Sequence, residues 1–174
     1  ANRDQPRQIL LGMSNMNWTL NGKTFEMEAV TPEETVKFGN LEVWEFINEM
    51  NMGGMNMSGD NMAGMDHSKM GSGMMQGNMA NQGGMMDFMA HPMHMHGVHF
   101  RVVGREVAAS GMAGWQTVKD GFVDDGWKDT VLVMPNERVK LLVRFADYPG
   151  IYLYHCHNLE HEDMGMIRNY LIQS

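Results

Sequence analysis

Cysteine is almost missing from this chain. One thiol, Cys156, stands among 174 residues, so no internal disulfide can form. A lone cysteine is most often a small buried hydrophobe, but this one lies between His155 and His157, which is a metal-site pattern. Long apolar runs are missing too: none approaches the roughly 20 residues that cross a bilayer, and no membrane insertion is expected. No charged, apolar and small-residue signal segment opens the chain at Ala1; an exported protein would have lost its signal or carry it on an upstream part. Positive charge is scarce, with 13 Lys and Arg against 21 Asp and Glu, and the net charge of -8 argues against a nucleic-acid partner. Aromatic and branched aliphatic side chains vanish from residues 49–86, where Met, Gly, Asn and Ser dominate without periodicity. Such a stretch cannot offset the entropy of ordering itself and reads as a low-complexity insert.

Two residue types are in excess: 22 Met and 20 Gly. The length suits one domain, residues 1–174, with the Met-rich segment 49–86 inserted in it. Outside the insert the grammar is that of strands. Asn21-Gly22 predicts a type I′ hairpin between 18–20 and 24–27. Thr35–Phe38 and the alternating Leu41–Ile47 follow, then His96–Val103, Asp129–Val133, Arg138–Phe145, Ile151–Cys156 and Ile167–Ile172. Pro135-Asn136 and Pro149-Gly150 mark turns, 105–128 reads as a long loose connection, and Leu159–Met164 as one short helical turn. Short strands separated by turns predict an all-β sandwich of Greek-key type.

Chemistry concentrates in two motifs that hold six of the eight histidines: His91-Pro-Met-His94-Met-His96-Gly97, and His155-Cys156-His157 running on to His161 and Met166. A thiolate, two imidazoles and a weak axial thioether are what a blue-copper electron-transfer site uses. Cys156, His161 and Met166 recur every five residues, so one loop can wrap three ligands around one ion, and His91 is the natural fourth. Alternation along a strand sends His155 and His157 to one side and Cys156 to the other. His94 and His96 share a side as well, so the two pairs can converge on a second metal centre. Of the remaining histidines, His99 reads as structural and His67, inside the insert, as solvated.

These HPxHxHG and HCHxxxHxxxxM motifs resemble those of multicopper oxidases. Leu159-Glu160-His161-Glu162-Asp163 and the Met-rich insert with Ala63-Gly64-Met65-Asp66-His67-Ser68 are most similar to bacterial copper-efflux (cuprous) oxidases and bacterial laccases. The resemblance implies a C-terminal cupredoxin domain. It implies type 1 copper on His91, Cys156, His161 and Met166, type 2 copper on His94, and a type 3 pair on His96, His155 and His157. It implies further that Glu162 is a proton-relay acid and that Asp87 and Met89 lie where a cuprous ion docks. The chain's four cluster histidines are half of what the family's trinuclear cluster needs, so an N-terminal cupredoxin domain of the same oxidase is the expected partner. Ala1–Asp4 resembles a continuing interdomain linker, and a periplasmic or extracellular location is expected.

Thioethers bind Cu(I) and ignore hard ions. Met50, Met52, Met55, Met57, Met62 and Met65 are therefore expected to collect cuprous ions near the type 1 site. The leading expectation is an oxidase that takes single electrons from Cu(I), phenols or aromatic amines and reduces O2 to water. A stand-alone electron carrier would have no use for the four additional histidines, and a Cu(I)-storage module would not need intact type 1 ligands.

Overall fold

The computed structural model describes residues 1–49 and 89–174. Among these residues, ten strands form two five-stranded sheets around a hydrophobic core. The first sheet contains β1 (Arg7–Ser14), β2 (Asn17–Leu20), β4 (Leu41–Asn48), β6 (Phe100–Val107) and β8 (Glu137–Arg144), in the order β2-β1-β4-β8-β6. The second contains β3 (Thr35–Lys37), β5 (His91–Met95), β7 (Thr130–Val133), β9 (Gly150–Cys156) and β10 (Ile167–Gln173), in the order β3-β10-β9-β5-β7. From β2 to β9 each strand lies on the opposite sheet from the one before it, whereas β1–β2 and β9–β10 are hairpins within one sheet. The pairs β1–β4 and β3–β10 are parallel and the others antiparallel. Period-two burial is plain in β8, where Val139, Leu141 and Val143 point inward.

β4 departs from the simple alternation that its sequence suggests. Glu42 and Glu45 are buried along with its apolar residues. Arg7 donates to Glu42 at 2.9 and 3.0 Å, and Gln8 donates to Glu45 at 3.0 Å with Lys140 3.7 Å away. The two carboxylates lie on opposite faces of β4: Arg7 reaches Glu42 on the side of Trp44, its guanidinium 5.4 Å from that ring's centroid, and Lys140 approaches Glu45 on the other side.

Three expectations need correction. Asn21 and Gly22 do turn, at φ 52° and 72°, but the hairpin closes on a single Leu20–Lys23 bridge and 24–27 is not a strand. The carbonyls that would have built the return strand are taken by side chains of β10: Arg168 donates to Thr24, and Asn169 to Glu26, Met27 and Ala29. The hairpin partner of β2 is β1, joined through Asn15 and Met16. Next, His96–Val103 is not one strand. β5 ends at Met95, the chain turns at Gly97 with φ 72°, and β6 begins at Phe100. A Cβ at residue 97 would lie 2.4 Å from the Tyr152 ring, so this turn requires glycine twice over. Finally, the supposedly loose connection carries a helix, α1 (Met112–Val118), flanked by 3-10 turns at Ala109–Gly111 and Lys119–Gly121. It buries no residue, so it has no apolar stripe to announce it. The short helix expected after the Cys156 strand is present as α2 (Leu159–Asp163).

Glu49, assigned to the insert, belongs to the folded part: Arg138 grips its carboxylate at 2.5 and 2.7 Å. The remainder of the insert, with Met50, Met52, Met55, Met57, Met62, Met65 and His67, and also Asp87, lies outside the described residues.

Candidate metal centre

The β5–β9 pair organises both clusters of candidate ligands. Its antiparallel register sets Met93 opposite Cys156 and His94 opposite His155. Opposed residues share a face and successive residues alternate. His91, Met93 and Cys156 therefore point into the sandwich, and His94 and His155 point out of it.

On the inner face, His91 at the start of β5, Cys156 at the end of β9 and His161 on α2 converge. The Nδ1 atoms of the two histidines are 3.2 Å apart, and the Cys156 Sγ is 3.7 Å from His91 Nδ1 and 3.5 Å from His161 Nδ1. All three residues are buried. Met166, fully buried, ends the same loop. Its N–H donates to the His161 carbonyl at 2.9 Å, and its own carbonyl accepts from the Cys156 N–H at 3.0 Å. Three candidate ligands are thus tied to one another through the main chain.

On the outer face, His94, His96 and His155 bring one nitrogen each within 4.8 Å of the others. His96 Nε2 faces His155 Nε2 at 3.0 Å. The His157 ring lies 5.3 Å from His155 and 5.6 Å from His94. The opposite ring nitrogens are occupied. His94 Nδ1 donates to the Asp129 carbonyl at 2.9 Å, and His155 Nδ1 lies 3.2 Å from Glu162 Oε2. A donor bond at Nδ1 fixes the tautomer and leaves Nε2 with its lone pair toward the common centre, the arrangement that metal-binding histidines adopt.

Residues 2–174 match the family model described as multicopper oxidase. The chain belongs to the multicopper oxidase family. It is 44% identical over 84 residues to a laccase of Haloferax volcanii, covering 48% of this chain and 13% of that protein. It is 30% identical over 161 residues to a multicopper oxidase of Staphylococcus haemolyticus, covering 92% of this chain and 26% of that one. The solved structure of the multicopper oxidase McoA from Aquifex aeolicus superposes on the whole chain and on 31% of its own length, with a TM-score of 0.59 at 28% identity. The chain thus spans a third or less of each of these three relatives.

Copper is the metal that this family implies, and the inner cluster fits it. Three ligand atoms 3.2–3.7 Å apart suit a common centre about 2.0–2.3 Å from each, as for nitrogen and sulfur ligands generally. Two imidazoles and a thiolate are the donor set of a trigonal blue-copper site. The electrostatics agree. Burial, reinforced by repulsion from His161, drives the His91 pKa down to about 3, and burial lowers that of His161 against the pull of Glu160. Both imidazoles therefore offer lone pairs at neutral pH. Burial pushes the Cys156 thiol up to about 11, partly offset by the Asn158 backbone N–H, so a bound cation must displace the thiol proton.

The fold thus brings together His91, Cys156, His161 and Met166 inside, and His94, His96, His155, His157 and Glu162 outside. Met89, two residues before His91, is partly exposed, and its carbonyl accepts from Asn48 at 2.9 Å. His99 is exposed in the turn before β6 and lines a surface cleft with Trp127 and Arg144. Sequence reasoning missed Trp18, Asp129 and Tyr170, which carry no motif and reach the site only through the pairing or packing of segments distant in sequence.

Tyr170 supplies one expected result. Its buried hydroxyl donates to the His96 carbonyl at 2.5 Å, while the His96 N–H donates to Leu153 at 2.9 Å. His96 is therefore held although it lies beyond the end of its strand. Tyr170→Phe leaves that carbonyl without its partner and should lower stability by about 1–3 kcal/mol in urea unfolding. Circular dichroism and the inner copper's colour should stay unchanged, because His96 belongs to the outer cluster; a bleached inner site would refute the separation of the two clusters.

Proposed function

We propose that this chain is the type 1 copper domain of a multicopper oxidase, receiving single electrons from a reductant and handing them to a trinuclear copper cluster shared with an N-terminal cupredoxin domain. The observation that carries this reading is the back-to-back placement of the clusters: Cys156 faces the inner one, and His155, its covalent neighbour, faces the outer one. Copper, when bound, supplies reversible one-electron chemistry. The protein supplies the rest. His91, Cys156, His161 and Met166 would hold type 1 copper. His94, His96, His155 and His157 would provide half of the cluster's ligands. Asp129 and Glu162 orient His94 and His155 through their second nitrogens, and Glu162, partly exposed beside the cluster, would carry protons toward O2. A cleft of about 690 Å³ that reaches His91 offers the reductant an approach. The soft thioethers of residues 50–86 favour Cu(I) as that reductant over phenols and aromatic amines.

Copper stoichiometry and oxygen uptake test the reading together. The chain alone should take up copper, turn blue, bleach with a reductant and recover slowly in air, with oxygen consumption near background. Adding the N-terminal cupredoxin domain should bring the assembly to about four coppers and start turnover. One copper with no gain from the partner would indicate a simple electron carrier, and many Cu(I) with no blue colour a storage module. Oxidase-rate turnover by the monomeric chain would refute the half-site assignment.

A further inference from the structure

Trp18 belongs to β2, in the first sheet, whereas His91 and Cys156 lie on strands of the second. Its indole nevertheless packs on both imidazoles of the inner cluster. The ring centroid lies 4.2 Å from that of His161, tilted by 34°, and 5.0 Å from that of His91, edge to face. The side chain is 3% exposed. Its main chain is tied to the ligand loop as well. Gly165, at φ 106° just before Met166, is so close to β2 that a Cβ there would lie 3.1 Å from the Thr24 side chain and 3.4 Å from the Trp18 carbonyl oxygen. One residue therefore touches two ligand rings and abuts the loop that ends in a third ligand. Trp18 also shares with His91 the wall of the open cleft.

We infer that Trp18 is a positioning residue for the type 1 site. It braces His91 and His161 across the gap between the sheets and keeps their Nδ1 atoms 3.2 Å apart. The inference rests on the type 1 reading of the inner cluster for its consequence on copper, though not for the bracing itself. The physical basis is the rigidity of the indole and its two contacts. An aromatic pair contributes beyond its buried area an amount equivalent to roughly a two- to tenfold change in an equilibrium constant. Without the ring, the imidazoles gain rotational freedom that metal binding must remove again.

Trp44 provides the internal control. It is fully buried in the core against Phe145, Tyr154 and Tyr170, and it touches neither His91 nor His161 through its ring. Three variants of the full chain are compared: Trp18→Leu, Trp18→Phe and Trp44→Phe. In the metal-free state, NMR should show the His91 and His161 ring signals sharp in the wild type and in Trp44→Phe, and broadened or doubled in Trp18→Leu. In the copper-loaded state, a chelator should strip copper from Trp18→Leu about tenfold faster than from the wild type, with the visible band shifted. Trp18→Phe should retain part of the bracing and release copper about two- to threefold faster than the wild type, with the ring signals measurably broadened. Trp44→Phe should lower thermal stability while leaving band and release rate unaltered. Wild-type ring signals and release rate in Trp18→Leu would overturn the inference, as would equal acceleration by Trp44→Phe. Should Trp18→Leu fail to fold, a Trp18→Phe protein identical to wild type in both readouts would overturn it. A wild-type chain without a blue band would defeat the type 1 reading, and the metal-free ring signals would still decide the bracing.

Discussion

Cys156→Ser will abolish the blue colour of the copper-loaded chain while leaving the fold in place. The colour of such a site arises from charge transfer between a thiolate and Cu(II), and Cys156 is the sole thiol. Its Sγ faces both His91 and His161 at hydrogen-bonding range and is sealed in the core. Serine is nearly isosteric, but its hydroxyl is a hard, weakly acidic ligand that copper does not readily ionise. Two imidazoles would remain, and copper affinity should fall steeply. The pH dependence separates the thiol's contribution. With the thiol held up at about 11, copper must expel one proton at neutral pH, so the logarithm of the affinity should rise by about one per pH unit. His91, titrating at about 3, adds nothing to that slope near neutrality. In Cys156→Ser the slope should flatten. Titration with a competing chelator at several pH values measures it, and a retained visible band would refute the ligand assignment.

Glu34→Ala will be the most destabilising of the single substitutions considered. Glu34 is 3% exposed, and its carboxylate accepts from Arg168 at 2.7 and 2.8 Å, from the Tyr154 hydroxyl at 3.0 Å, and from the Thr31 N–H at 2.9 Å. Thr31 and Glu34 form a capping box that opens a 3-10 turn, with Pro32 in its first position. The carboxylate thus ties the irregular 24–34 segment to β9 and β10. Alanine would strand the buried Arg168 guanidinium, and breaking one side of a buried pair costs about 3–5 kcal/mol. That is a large fraction of the roughly 5–15 kcal/mol that holds a domain together. Burial alone would raise the Glu34 pKa, but Arg168 and Thr31 outweigh it and lower the value below the ordinary 4.5. A depressed carboxylate stabilises the fold fully above its unfolded pKa and loses that contribution as the pH falls through the folded value. The stability gap between wild type and Glu34→Ala should therefore be constant above about pH 4.5 and narrow below it. Urea unfolding across this range checks both the size and the sign.

Tyr154 accepts nothing from the metal site, yet the Glu34 network bears on it, since Tyr154 directly precedes His155 in β9. The contrast between this network and the copper ligands shows what can be read from one dimension. The ligands lie within two short stretches, and the chemistry of thiolate and imidazole leaves few other uses for six histidines around one cysteine. The partners Glu34 and Arg168 are 134 residues apart, and neither stands in a motif. Glu42 and Glu45 likewise carry charges that local sequence gives no reason to bury, and they are buried because Arg7 and Lys140 come from other strands to pair with them.

Local chemistry therefore determined the strand-rich class, the turns at Asn21-Gly22 and Pro135-Asn136, the short helix after the Cys156 strand, and the identity of the candidate copper ligands. Each depends on residues within a few positions of one another, where spacing and backbone preference act directly. The tertiary structure decided what depends on register between distant strands. The β5–β9 pairing separates an inner cluster from an outer one and places them back to back. The β10 side chains of Arg168 and Asn169 capture the carbonyls of 24–29 and prevent a strand there. The packing of one sheet on the other brings Trp18 onto two imidazoles from segments more than 70 residues away. Spacing along a chain carries no information about which faces will meet, because those contacts are selected by burial of the whole core at once.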